Sequence, residues 1–222
     1  INLSHTAPNP GSIRTLYEDR TGNLWIGTDN GLFMYSAKDN VSMPIHSVGG
    51  RVSAITQTTD GMIWICTEDG YLYKLKSPEE RESFYIKKDF MAMDATSDGV
   101  LWLGTKQGNV YRYLSDTGEL TDYSASTGMT GSTIYKIVAD MHNHLWIGSN
   151  QKLTEFNPRN GAYRNYLTSD EELILNRFLP RSAYKNQHGI IYWGGIPGFI
   201  SVTPSQRLES IPQNVKVHIT NI

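Results

Sequence analysis

Histidines are the residues in this chain best able to do acid–base or metal chemistry, and there are six: His5, His46, His142, His144, His188 and His218. His142-x-His144 has a spacing that two metal ligands could use. No partner carboxylate is evident from the sequence, however, and side chains in a turn lack fixed geometry. No metal and no cofactor is therefore expected. His142 and His188 stand at equivalent places, where Thr21, Asp60 and Asp98 stand elsewhere, and read as solvated turn residues. A surface turn position for His144 would make its removal cheap, within about 1 kcal/mol. Serine, histidine and aspartate all occur, but nothing places them as a triad. Cys66 is the one cysteine, which excludes an internal disulfide and a cysteine-based metal cluster, and no basic neighbour in sequence activates the thiol. The pairs Glu68-Asp69 and Glu79-Glu80 read as solvent-facing loop residues. No catalytic residues are expected.

Bulk properties narrow the classes further. Charged residues make up 19% and the formal net charge is −2, so there is no electrostatic footprint for nucleic acid. No apolar run reaches the roughly 18 residues of a membrane span, and no membrane contact is expected of this segment. Aromatics at 11% and 20 glycines suit many short strands joined by tight turns. The polar, Pro-containing opening from Asn2 to Pro10, without an initiating Met, reads as part of something longer.

The elements that must position any site are set by an internal repeat. Aromatic anchors fall at Trp25, Trp64, Trp102, Trp146 and Tyr192, with spacings of 39, 38, 44 and 46 residues. A period of roughly 40–50 residues belongs to propellers or to helical repeats. Glycine content decides between them. Three before the anchor stand Gly22, Gly61, Gly99, Asn143 and Gly189, where a tight hairpin requires positive φ. Two after it stand the small residues Gly27, Cys66, Gly104, Gly148 and Gly194. Six after it stand Gly31, Gly70, Gly108 and Gly198, with Lys152 the one departure. No helical repeat tolerates glycine at three fixed places per unit. The expected fold is all-β: a β-propeller of five four-stranded blades, at about 12–47, 51–88, 89–124, 132–168 and 178–204. The anchors are the structural wedges between blades, and Trp102→Ala should cost about 3–5 kcal/mol. Ser169 followed by Glu172 has capping-box spacing, so a short helical turn is expected near Ser169–Leu175.

In such a fold a ligand is reached from loops joining second to third strands and from the entries to innermost strands. The first set offers Asp29, Asn30, Glu68, Asp69, Lys106, Gln107, Asn150 and Gln151. Eleven before each anchor, the second offers Arg14, Ser53, Met91, Tyr135 and Arg181. Arg14, Asp29, Asn30, Asp69, Lys106, Gln107, Tyr135 and Arg181 are the binding candidates, because guanidinium, carboxamide and phenol groups suit an oxidised or sulfated sugar.

The string I-x-x-L-x-x-D-x-x-G-N-L-W-I-G-T-D-N-G-L, from Ile13 to Leu32, closely resembles the two-component regulator propeller repeat. The fourth unit matches as well, the second and third fairly, and the fifth departs with Tyr192-Trp193 in place of Leu-Trp. The resemblance implies the periplasmic sensor region of a hybrid two-component histidine kinase/response regulator. It implies part of a seven-bladed propeller running, at 212–222, into the first strand of an immunoglobulin-like Y-Y-Y domain, unless that segment is a closing strand. Residues 1–211 would then be the propeller segment. The function it implies is non-catalytic recognition of an oligosaccharide or other glycan-derived ligand and signalling to a distant kinase. A D-G-x-L-W flavour is shared with virginiamycin B lyase, so a lyase using His142, His144 or His188 is the alternative; a structural propeller serving dimerisation is a third. Five units in 222 residues predict an open arc with apolar flanks and a tendency to self-associate.

Overall fold

The computed structural model describes residues 10–129, 131–168, 175–204 and 218–219. Every regular element among them is a strand. The first sheet comprises β1 (Ile13–Glu18), β2 (Asn23–Thr28), β3 (Gly31–Ser36) and β4 (Val41–Ile45). The second comprises β5 (Val52–Gln57), β6 (Ile63–Thr67), β7 (Tyr71–Leu75) and β8 (Arg81–Tyr85). The third is β9 (Phe90–Ala95), β10 (Leu101–Thr105), β11 (Val110–Leu114) and β12 (Glu119–Asp122). The fourth is β13 (Lys136–Ala139), β14 (Leu145–Gly148), β15 (Lys152–Phe156) and β16 (Tyr163–Leu167). The fifth is β17 (Arg177–Lys185), β18 (Ile191–Ile196), β19 (Phe199–Val202) and β20 (His218–Ile219). Each sheet follows chain order, as propeller blades do. The helical turn expected at 169–175 falls almost wholly outside the described residues.

The turns form where the repeat requires them. Three before each anchor, φ is +83° at Gly22, +88° at Gly61, +82° at Gly99, +63° at Asn143 and +79° at Gly189. Asparagine is the non-glycine residue that best tolerates this region, which explains the fourth blade. A second device holds the same turns, six before the anchor, and it was not read from the sequence. Asp19 Oδ1 accepts the N–H groups of Thr21 (2.9 Å) and Asn23 (3.0 Å), and its Oδ2 accepts the indole N–H of Trp25 (2.8 Å). Asn186 Oδ1 accepts from His188 and Ile190, both at 3.0 Å. In the second and third blades a Thr58–Asp60 and a Thr96–Asp98 pair share the work.

The chain divides into two compact units, residues 1–94 and 95–222. In the first, Trp25, Leu32 and Met34 pack on Val52, Ile55, Ile63 and Ile65 of the next blade. A Cβ on Gly27 would stand 2.5 Å from Val52 Cγ1, so the small slot two after the anchor lets the second blade pack directly against the first. In the second unit, Trp146 packs with Phe178, Ile191 and Trp193, and a Cβ on Gly148 would collide with the Trp193 ring. Gly104 meets Ile134 in the same way.

One anchor differs from expectation. Trp25, Trp64, Trp102 and Trp146 are buried, but Tyr192 is only half-buried, and Trp193, 1% exposed, fills the core of the fifth blade. Tyr192 does hold the anchor register, opposite Tyr184 as Trp146 is opposite Val138. Successive strand residues face opposite sides, so Trp193 turns toward the fourth blade while Tyr192 shares the face of Tyr184, which is 64% exposed. On the first blade Leu16 is 57% exposed, whereas its same-face neighbours Ile26 and Phe33 are buried.

Candidate functional site

The innermost strands carry the most informative irregularities. The β1–β2 register shifts between Ile13 and Thr15, the β5–β6 register between Val52 and Ala54, and the β17–β18 register between Phe178 and Ala183. These bulges contain Arg14, Ser53 and Arg181, three of the five residues eleven before an anchor. A bulge frees a residue from the ladder and re-aims its side chain, and bulges concentrate at binding sites. Arg181 also has φ +59°, a left-handed conformation that a long side chain adopts only when its surroundings impose it.

In the first unit the bulged Arg14 enters a network of two cations and two anions. Its Nε lies 3.5 Å from Asp29 Oδ1 and its Nη2 donates to Glu68 Oε1 at 3.0 Å. Arg51 joins the same two carboxylates at 3.2 and 3.4 Å. Asp29 also accepts the Ser12 N–H at 3.1 Å; that bond foremost, with Arg14 and Arg51, holds its carboxyl below the ordinary value against some desolvation. Charges that pair off in this way leave little net attraction for an anionic ligand. Asn30 and Asp69 are exposed in the adjoining turns, the Asn30 N–H donating to Thr28 Oγ1 at 3.2 Å and Asp69 lying over Gly50.

The second unit presents a different edge. The Arg181 N–H donates to the Tyr135 carbonyl at 3.3 Å, and the Tyr135 N–H donates to Gly148 O at 2.7 Å, which places the two candidates on neighbouring blades side by side. Both are half-buried. Lys106 and Gln107 are exposed in the β10–β11 turn, whose Lys106 carbonyl accepts the Thr133 hydroxyl at 2.8 Å. Of the eight candidates, Arg14 and Asp29 meet through their side chains, and Tyr135 and Arg181 are neighbours through their backbones.

His144 overturns its expectation. It is 5% exposed, and Asp140 and Glu155, both 4% exposed, supply the carboxylates not evident from the sequence. The reason is register. Glu155 lies directly across from Trp146, and His144, two before Trp146, shares its face. His144 Nδ1 lies 3.6 Å from Glu155 Oε1 and 4.0 Å from Asp140 Oδ2. Asp140 is the fourth blade's turn-holding carboxylate, accepting the N–H groups of His142 and His144 at 2.8 and 2.9 Å and the Trp146 indole at 3.1 Å. Glu155 Oε2 accepts the Tyr166 hydroxyl at 3.3 Å.

These features define a class: four-stranded propeller blades with irregular inner strands. Within that class, residues 8–30 match the family model of the two component regulator propeller. The chain is 24% identical over 196 residues to histidine kinase P4 of Formosa agariphila, covering 87% of this chain and 12% of that protein. It is similar in structure to the extracellular domain of a hybrid two-component system, BT4673, of B. thetaiotaomicron. There the TM-score is 0.68 at 18% identity, over 90% of this chain and 28% of the other. Virginiamycin B lyase of Staphylococcus aureus superposes with a TM-score of 0.69 at 15% identity, over 91% of this chain and 69% of the enzyme. The chain therefore spans about an eighth of its curated relative.

Proposed function

We propose that this chain is a non-catalytic, extracytoplasmic sensor segment that binds an acidic glycan-derived ligand, oxidised or sulfated, and passes its occupancy to a kinase elsewhere in the parent receptor. The observation that carries the proposal is the bulged, positive-φ Arg181 beside Tyr135. The bulge takes Arg181 out of the ladder at the edge of the blades, where a guanidinium can grip a carboxylate or sulfate bidentately while the Tyr135 ring offers a flat apolar surface. The repeat in the first blade and the likeness to sensor ectodomains support the same reading. A fold shared with a lyase does not by itself imply catalysis, and of the three histidines that reading offers, His144 is buried among carboxylates.

Calorimetric titration with uronic-acid and sulfated oligosaccharides, beside neutral ones, tests this. Acidic sugars should bind, and Arg181→Ala should weaken them by about tenfold or more, as expected for a lost charge-assisted pair. Acidic and neutral sugars binding alike, or Arg181→Ala without effect, would refute it. Shortening of the sugars on incubation would favour the lyase reading.

A further inference from the structure

The trio of Asp140, His144 and Glu155 is peculiar to the fourth blade. The turn-holding carboxylate does not need its companions, because Asp19 makes the equivalent bonds in the first blade with Asn23 in the position of His144 and Met34 in that of Glu155. There Asn23 Nδ2 donates to Asp19 Oδ2 at 3.2 Å, whereas His144 Nδ1 is buried with no hydrogen-bond partner. Two carboxylates are thus buried around an unsatisfied imidazole nitrogen. Among the described residues no lysine or arginine forms an ion pair with either one. Arg164, across from Glu155, directs its guanidinium over the Tyr166 ring at 5.1 Å. Asp140 is met by three N–H donors and Glu155 by the Tyr166 hydroxyl, so His144 Nδ1 is the unmet atom, and a cation held between the three side chains would satisfy it.

We propose that Asp140, His144 and Glu155 bind one divalent transition-metal ion of the zinc class through Oδ2, Nδ1 and a carboxylate oxygen of Glu155. One atom from each residue lies within 4.8 Å of the others. Tetrahedral donors at zinc bond lengths of about 2.0–2.1 Å stand roughly 3.4 Å apart, close to the 3.6 and 4.0 Å separations from Nδ1. A mixed imidazole and carboxylate set favours zinc over magnesium or calcium, which prefer oxygen alone. The outer groups that orient ligating carboxylates are already in place: the Trp146 indole on Asp140 Oδ2 and the Tyr166 hydroxyl on Glu155 Oε2. The ion would tie β14 to β15 and the turn before β14, and so act as a clamp within the blade.

The test loads the 222-residue chain with zinc, removes excess by desalting and measures bound metal by mass spectrometry. Wild type should retain one equivalent, with magnesium and calcium failing to compete. Glu155→Gln and His144→Gln should each weaken retention by at least about tenfold, and His142→Ala should leave it unchanged. Should either trio variant unfold, cobalt(II) bound to wild type provides the second reading: visible bands of nitrogen and oxygen ligation without the thiolate charge-transfer band that Cys66 would give. A wild type that retains no zinc, trio variants that retain it fully, loss in His142→Ala, or a thiolate band would each overturn the proposal.

Discussion

The indole N–H of Trp25 donates to Asp19 Oδ2 at 2.8 Å, and that of Trp146 donates to Asp140 Oδ2 at 3.1 Å. One carboxylate thereby joins the first hairpin turn of a blade to the ring that packs against the next blade. Local backbone geometry and interblade packing are coupled through a single side chain.

Removing that coupling should be expensive. Asp19→Ala strands the Trp25 indole and two turn N–H groups, and should cost about 2–3 kcal/mol in urea unfolding. Asp19→Asn keeps one acceptor, as Asn186 does in the fifth blade, and should cost clearly less. Equal losses would show that the second oxygen is immaterial.

Acid should destabilise the chain through the same groups. Burial alone would push Asp19 up, but hydrogen bonds from Thr21, Trp25 and Asn23 outweigh it and hold the carboxyl below its ordinary value. Asp60 is likewise lowered, its burial outweighed by the Thr58 hydroxyl and the Met62 N–H. A carboxyl lowered in the folded state binds its proton more readily unfolded. Its stabilisation is therefore present above the unfolded value, about 4, and is lost as pH falls through the folded values. Unfolding free energy measured between pH 6 and 2.5 should fall chiefly below pH 4, and less steeply in Asp19→Asn. An unchanged slope in that variant would remove Asp19 from the explanation.

Two glycines of one hairpin should respond differently to a side chain. A Cβ on Gly27 meets Val52 at 2.5 Å, so Gly27→Val overpacks the interface between the first two blades and should cost about 3 kcal/mol or more. Gly22 has nothing within 4 Å of its Cβ position, and Gly22→Ala should cost only about 1 kcal/mol for placing a side chain at φ +83°. Reversed magnitudes in denaturant melts would contradict the packing described.

Anchor rings should rank by burial. Trp102, 2% exposed and edge-on to Tyr123 and Phe156 at 5.1 and 6.2 Å, should cost about 3–5 kcal/mol as Trp102→Ala. Half-buried Tyr192→Ala should cost less than Trp193→Ala. Thermal melts showing Tyr192 the costlier of the two would restore it as the core wedge.

The repeat, the strands and the hairpin turns were legible from sequence because each depends on residues a few positions apart. Positive φ at Gly22 or Asn143 is demanded by a local turn, and two-residue alternation marks a strand without knowledge of its partner. The turn-holding position six before each anchor, occupied by Asp19, Thr58, Thr96, Asp140 and Asn186, was equally local; its signal was hidden because three different side chains perform the role. Other features belong to the tertiary structure alone. Arg14 meets Glu68 across 54 residues, an encounter made by two blades packing together. His144 reaches Glu155 only because β14 and β15 pair in one particular register. Tyr192 yields the core to Trp193 because the side a residue faces acquires meaning only when a neighbouring sheet lies against it. Periodicity along the chain determined which elements form; which side chains share an interior was decided by how those elements pair and stack.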